Sequence, residues 1–132
     1  MAGYNGDASI QAVEMKMLAA FQGSTTGTSI KVYDAAGAVV ATLGSFGGTL
    51  PNAQAGRKVL CATANFATTF GITPDLVIAP GIPATTGQVS FEAATCFVNA
   101  IPYGAVTVFK NGTTAAAPLP TGGATVLVRV VD

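Results

Sequence analysis

Hydrophobic and polar positions alternate over short stretches of the chain, and glycine, proline, asparagine and threonine separate these stretches. The clearest alternation covers residues 9–17. There Val13, Met15 and Met17 alternate with polar residues, so a strand over this range would have one apolar face. Repeated short segments of this kind are typical of all-β proteins.

The same pattern predicts most of the remaining elements. A polar, glycine-rich loop is predicted over residues 21–27, and residues 34–37 supply a hairpin turn. Residues 63–71 predict the one helix, with Thr63 or Asn65 as N-cap and Gly71 as its end. Further strands are predicted at 29–33, 38–43, 57–62, 76–78, 88–91, 96–101, 105–109 and 125–131. Eight or nine strands with one short helix indicate two packed sheets in a single domain, residues 1–132.

Composition narrows the function classes. Half of the residues are apolar, only 9% are charged, and six basic residues balance six acidic ones. Disordered chains have the opposite composition, and six dispersed cations provide no basic surface for nucleic acid. Arg57, Lys58 and Lys110 are interpreted as charges on edge strands. Near-zero net charge with an apolar excess favours association with proteins, including other copies of the chain.

Catalytic and metal-binding residue sets are sparse. Histidine is absent, so the serines and cysteines lack the usual general base, and the commonest zinc ligand is missing. We therefore predict no catalytic residues, no metal site and no cofactor. A hydrolase that pairs carboxylates is the enzymatic alternative, with Glu92 and Asp75 as its acids. The Asn5-Gly6-Asp7 cluster is interpreted as a turn rather than a calcium site.

Other single features leave alternatives open. The two cysteines allow one disulfide, Cys61–Cys96, or two buried free thiols. Asn111 begins an Asn-Gly-Thr sequence that fits both a glycosylation acceptor and a hairpin turn. Glycine and proline interrupt the long uncharged stretches, so no membrane span is predicted, and the first residues do not predict a signal peptide.

Aromatic residues are the other potential contact groups. Core packing is the default expectation for phenylalanine. Exposed anchors of an interface are the alternative for Phe46, Phe97, Phe109 and Tyr103. The helix carries a further pair, Phe66 and Phe70, which would pack one helix face onto the sheets because residues four apart lie on the same side.

Several segments together resemble the bacterial branch of the lamin-tail domain family. The most specific is Phe-Gly-Ile-Thr-Pro-Asp at residues 70–75, and the resemblance extends over nearly the whole chain. The segments that carry it are residues 13–17, 32–37, 66–75, 86–91, 103–104 and 120–129. The chain departs from the family where Ser90 replaces a cysteine that usually pairs near position 96. A Cys61–Cys96 bridge would take the place of that disulfide.

The resemblance implies an immunoglobulin-like β-sandwich without catalytic residues. It also implies a place outside the bacterial cell, because relatives occur in secreted or surface proteins. Together with the composition, these implications give the expected function: a structural or adhesive protein-interaction module. A self-assembling subunit of an extracellular filament, layer or shell is the alternative.

Overall fold

A computed structural model describes residues 1–94, 96–110 and 117–119, with the side chains of residues 96–98 outside that description. These residues form seven strands and one short helix. In chain order they are β1 (Ala12–Lys16), β2 (Ser29–Tyr33), β3 (Val39–Ser45), β4 (Lys58–Ala62), α1 (Ala64–Phe70), β5 (Leu76–Val77), β6 (Gly87–Ala93) and β7 (Cys96–Tyr103).

The strands form two sheets. The three-stranded sheet has the order β1-β4-β5, with β1 antiparallel and β5 parallel to β4. The four-stranded sheet has the order β3-β2-β6-β7, and all its neighbours are antiparallel. A mostly β fold of two packed sheets is therefore present, as the sequence pattern predicted, and the arrangement is consistent with a β-sandwich.

One apolar cluster fills the space between the sheets. The four-stranded sheet contributes Ile30 and Val32, which are both fully buried, and the three-stranded sheet contributes Val59 and Cys61. Val13 and Met15 pack against this cluster and Met17 belongs to it, which confirms the predicted apolar face of β1. Because strand side chains alternate between faces, polar residues of the same strands lie on the outer surfaces.

Helix α1 forms where its sequence signals predicted it. The Thr63 hydroxyl accepts a hydrogen bond from the Phe66 amide, and the left-handed Gly71 (φ 64°) ends the helix by donating to the Ala67 carbonyl. Phe66 is buried on the outer face of the three-stranded sheet. Phe70 is partly exposed and meets the Tyr4 ring edge-on at 5.0 Å. The predicted aromatic face is therefore half inside the fold and half at its surface.

The prediction of a strand at residues 105–109 is wrong. This segment turns back over the outer face of the four-stranded sheet instead of joining a ladder. The Thr107 and Val108 amides both donate to the Ala35 carbonyl, and the Gln88 side chain binds the segment's backbone. A side-chain amide thus replaces strand pairing here. The predicted strand at 125–131 lies outside the described residues.

Two other expectations can be compared directly with the structure. Lys58 is not on an edge strand, because β4 is the middle strand of its sheet. Its partner is Glu14, at 2.9 Å, and Arg57 pairs with Asp75 at 2.7 Å.

Among the described residues, no helix is long and apolar enough to cross a membrane.

Candidate interaction surface

Residues 18–22 form an exposed apolar turn after β1. The Phe21 side chain is the most exposed large apolar group among the described residues, with 90% of its surface accessible, and Leu18 is 66% exposed. Ala19 and Ala20 between them are exposed as well. The apolar turn contains no charged residue. A contiguous exposed apolar group of this kind marks an interaction site more often than a single exposed residue does.

Phe21 adopts a backbone conformation that its side chain disfavours. Its φ angle is +66°, in the left-handed region that is rare for bulky residues. Such a conformation costs about 1–3 kcal/mol and persists only where surrounding contacts impose it. Here the cost is not repaid by burial of the ring, because the ring lies in solvent. The apolar turn therefore holds Phe21 outward at the expense of stability.

Hydrogen bonds keep the apolar turn in this shape. The Gln22 side-chain oxygen accepts from the Leu18 amide at 2.6 Å and from the Ala19 amide at 3.0 Å. The Phe21 amide donates to the Ala53 carbonyl at 2.7 Å. At Gly23, an added Cβ would lie 2.6 Å from the Leu50 carbonyl oxygen, so the turn sits directly on the 50–53 backbone. Phe21 is thus presented on a fixed support, which lowers the entropy cost of binding.

A second exposed apolar group, the valine patch, consists of Val39, Val40 and Val108. Val39 and Val40 are 57% and 56% exposed at the start of β3, and Val108 is 48% exposed. The β2–β3 register skips Val40, so this residue lies in a bulge. Val108 packs on the hairpin turn, where a Cβ on Gly37 would lie 3.0 Å from its Cγ1.

The outer face of the four-stranded sheet holds a buried polar cluster of Lys31, Tyr33, Ser90 and Glu92. The Glu92 carboxylate accepts from the Tyr33 hydroxyl at 3.0 and 2.8 Å and from the Ser90 hydroxyl at 2.7 Å. The Lys31 ammonium lies 2.8 Å from the same carboxylate, which is 7% exposed. Every polar group of the cluster has a partner, which is the usual condition for burying such groups.

Contacts within the cluster shift the pKa values of Glu92 and Tyr33. Burial raises the pKa of the Glu92 carboxyl, but hydrogen bonds from Lys31, Ser90 and Tyr33 outweigh burial and leave this pKa below its ordinary value. Burial and the neighbouring carboxylate raise the pKa of Tyr33 to about 12. At neutral pH the cluster therefore contains a carboxylate and a neutral phenol. All its donors face that carboxylate, so the arrangement is a closed structural network.

The two acids of the hydrolase alternative do not meet in one network. Glu92 lies on β6 of the four-stranded sheet, whereas Asp75 precedes β5 in the other sheet. Asp75 accepts from Arg57 at 2.7 Å and from the Leu60 amide at 2.9 Å. Each carboxylate is thus occupied by its own partners. In the described part of the chain, no three acidic or cysteine side chains lie together in a potential metal site.

Of the predicted site residues, Cys61 lies in the core and not in either exposed apolar group. Cys61 is a fully buried free thiol on β4, and burial together with Asp75 raises its pKa to about 12. Cys61 thus corresponds to the alternative of a buried free thiol rather than to a disulfide. The Cys96 side chain and all of Asn111 lie outside the described residues, so the glycosylation site remains a prediction. Asn5 and Gly6 form the turn expected of them, with positive φ at both and a bridge between Tyr4 and Asp7.

Among the aromatic residues, the default expectation of core packing holds for two of the four named residues. Phe46 and Tyr103 are buried. Phe109 is half-buried, and the Phe97 side chain lies outside the described residues. The exposed anchor is Phe21, which sequence reasoning assigned only to a polar loop. The one available signal was a large aromatic residue between Ala20 and Gln22, with no apolar periodicity to place it in the core.

Comparison of the chain with protein-family models, with curated proteins and with solved structures finds no match.

Proposed function

We propose that the chain is a non-enzymatic structural or adhesive module that works through protein–protein contact, and that the apolar turn is its contact surface. The observation that carries this proposal is Phe21, which is 90% exposed at φ +66° on a hydrogen-bonded turn. Strained residues cluster at functional sites, and aromatic anchors dominate binding energy at protein interfaces. A solvent-exposed ring in a strained conformation has no evident role in the isolated chain.

The wider setting of this module is proposed from the sequence resemblance. The two sheets would be the halves of an immunoglobulin-like β-sandwich related to lamin-tail domains. The chain would then act in a secreted or surface protein of bacteria. The low charge supports contact with a protein partner, because six positive and six negative residues produce little repulsion against it. A self-assembling subunit is the second candidate, favoured by the presence of two separate exposed apolar groups.

Replacement of Phe21 by Asn tests the proposal through two opposite effects. Asparagine tolerates the left-handed conformation, so we expect Phe21→Asn to raise the free energy of unfolding by about 1 kcal/mol. Little packing is lost, because the ring is exposed. In the cells that produce the chain, we expect the wild type to be retained in the envelope or matrix fraction and the same variant to be released from it. Denaturant unfolding measures the first effect, and separation of the cells into soluble and envelope or matrix fractions measures the second.

Leu18→Asn is the matched control for strain. It removes an exposed apolar side chain from the same turn, but Leu18 has no positive φ to relieve, so no gain in stability is expected. A Phe21→Asn variant that is less stable than the wild type would show that the ring packs against the protein. Unchanged retention of a stabilised variant would remove the apolar turn as the contact surface.

A further inference from the structure

The turn at residues 4–7 presents an Asn-Gly pair to solvent. Asn5 and Gly6 are its two central residues, and both are exposed. Their φ angles are +49° and +79°, as in the tight hairpin turns that favour this dipeptide. Two hydrogen bonds close the turn: the Tyr4 amide donates to the Asp7 carbonyl at 3.1 Å, and the Asp7 amide donates to the Tyr4 carbonyl at 2.9 Å. The peptide between Asn5 and Gly6 takes part in neither bond.

The side chain of Asn5 and the backbone nitrogen of Gly6 are both unprotected. Within the described part of the chain, neither the Asn5 side-chain amide nor the Gly6 backbone amide has a hydrogen-bond partner. Apart from the two neighbouring residues, no atom lies within 4 Å of the position that a Cβ on Gly6 would occupy. Glycine also has no side chain of its own that would hinder approach to its nitrogen. These two groups are therefore free to react with each other.

We propose that Asn5 is a site of spontaneous deamidation and isomerisation. The Gly6 nitrogen attacks the side-chain amide carbon of Asn5 and gives up its proton, and the side-chain nitrogen leaves as ammonia, which closes a five-membered succinimide ring. Water then adds to one of the two ring carbonyls, and the bond from that carbonyl carbon to the Gly6 nitrogen breaks. Opening at the side-chain carbonyl gives aspartate, and opening at the main-chain carbonyl gives isoaspartate. The reaction involves no residue of the apolar turn and does not rest on the proposed function.

The closed turn slows this reaction without preventing it. Attack requires rotation about the Cα–C bond of Asn5, and the turn gives up its two hydrogen bonds to allow that rotation. A hydrogen bond contributes little net stability in water, so we expect a rate roughly tenfold to hundredfold below that of the unfolded chain. The bridge between Tyr4 and Asp7 lies outside the named strands, so it can open without disturbing either sheet.

Isoaspartate would change the turn permanently. The side-chain methylene of residue 5 becomes part of the main chain, so the connection between Tyr4 and Asp7 lengthens and the two hydrogen bonds lose their register. Tyr4 also contacts the Phe70 ring at a centroid distance of 5.0 Å, so loss of the bridge would loosen a contact with α1. Aspartate and isoaspartate both add a negative charge to a chain whose formal net charge is zero.

Peptide mapping by mass spectrometry tests the proposal on the full chain. The chain is incubated at physiological temperature and pH, folded and in denaturant, and aspartate and isoaspartate are quantified at each asparagine. Asn52 is the matched internal control: it is exposed and has a φ of +53°, but alanine follows it. Asn111, which glycine also follows, lies outside the described residues and is quantified in a separate peptide. We expect Asn5 to convert in the folded chain, and faster than Asn52 in both conditions.

Asn5→Gly is the variant control, because Gly-Gly also favours this turn and lacks the side-chain amide. Hydrogen exchange of the Asp7 amide should become faster as the wild type ages, whereas in this variant it should not change with incubation time. An Asn5 that stays intact in the folded chain for about a hundred half-times of the denatured chain would overturn the proposal. Equal conversion of Asn5 and Asn52 would also overturn it, and equal rates in the folded and denatured chain would contradict the opening step.

Discussion

Gln11→Leu is expected to reduce the free energy of unfolding by about 4 kcal/mol. The Gln11 amide is 2% exposed and joins three parts of the chain. Its nitrogen donates to the Ala2 and Ile82 carbonyls, both at 2.9 Å, and its oxygen accepts from the Gly81 and Ile82 amides at 2.8 and 2.9 Å. Leucine has a similar volume and would leave three buried backbone groups, and the part-buried Gly81 amide, without partners. Each buried group costs about 1–3 kcal/mol before relaxation.

Gln22→Leu is the control for this loss, because the Gln22 side chain also accepts hydrogen bonds from backbone amides, but at an exposed position. The Gln22 oxygen also accepts from two successive backbone amides, those of Leu18 and Ala19. Water can replace that acceptor at the surface, so the expected cost is below about 1 kcal/mol. Denaturant unfolding of both variants measures the difference. Equal losses would show that the buried position of Gln11 does not set its contribution.

Glu92→Leu is expected to cost about 3 kcal/mol. The change leaves the Tyr33 and Ser90 hydroxyls without their acceptor and the Lys31 ammonium without its counter-charge. Lys31 is 28% exposed and recovers part of its hydration, which keeps the loss near the lower end for a broken buried pair. Thermal unfolding should show a fall in Tm of roughly 10 °C.

Glu14→Leu is the control that tests whether burial of the carboxylate, rather than its charge alone, causes the loss expected for Glu92→Leu. Glu14 also faces a lysine, Lys58, at 2.9 Å, but its side chain is 51% exposed. Exposed ion pairs contribute little because water solvates both partners, so a change within about 0.5 kcal/mol is expected. A loss as large as that of Glu92→Leu would contradict the account of the buried cluster.

The Glu92 carboxylate makes the free energy of unfolding decrease as the pH falls. Because the pKa of Glu92 is lowered in the folded chain, the unfolded chain takes up its proton first as the pH falls. The stabilisation is present above the ordinary carboxyl pKa and declines from about pH 5 downward. Glu92→Gln should remove this part of the decline. A variant whose stability falls with pH as steeply as that of the wild type would exclude Glu92 as a source of it.

Local signals were sufficient for much of the fold. β2 has the predicted bounds because its apolar and polar residues alternate with period two and a turn follows directly. Helix α1 was predicted from its cap and its terminal glycine, which act through hydrogen bonds and backbone freedom within a few residues. Such features depend little on the remainder of the chain.

Features that depend on distant contacts were not predictable. Residues 105–109 have the β-branched alternation of a strand, but their position is set by Ala35 and by the side chain of Gln88. Two of the partners of Glu92, Lys31 and Tyr33, come from β2, about 60 residues away in sequence. The conformation of Phe21 follows from its own hydrogen bond to Ala53 and from the two that Leu18 and Ala19 donate to Gln22, and no periodicity in the sequence indicates these bonds.

Site-specific photocrosslinking at position 21 tests most directly whether the apolar turn is the contact surface. A photoreactive phenylalanine analogue would replace Phe21 in the cells that produce the chain, and the same analogue at exposed Ala8 would serve as control. The account predicts a discrete covalent adduct with a protein partner from position 21 and none from position 8. No adduct at position 21, or equal adducts at both positions, would contradict it.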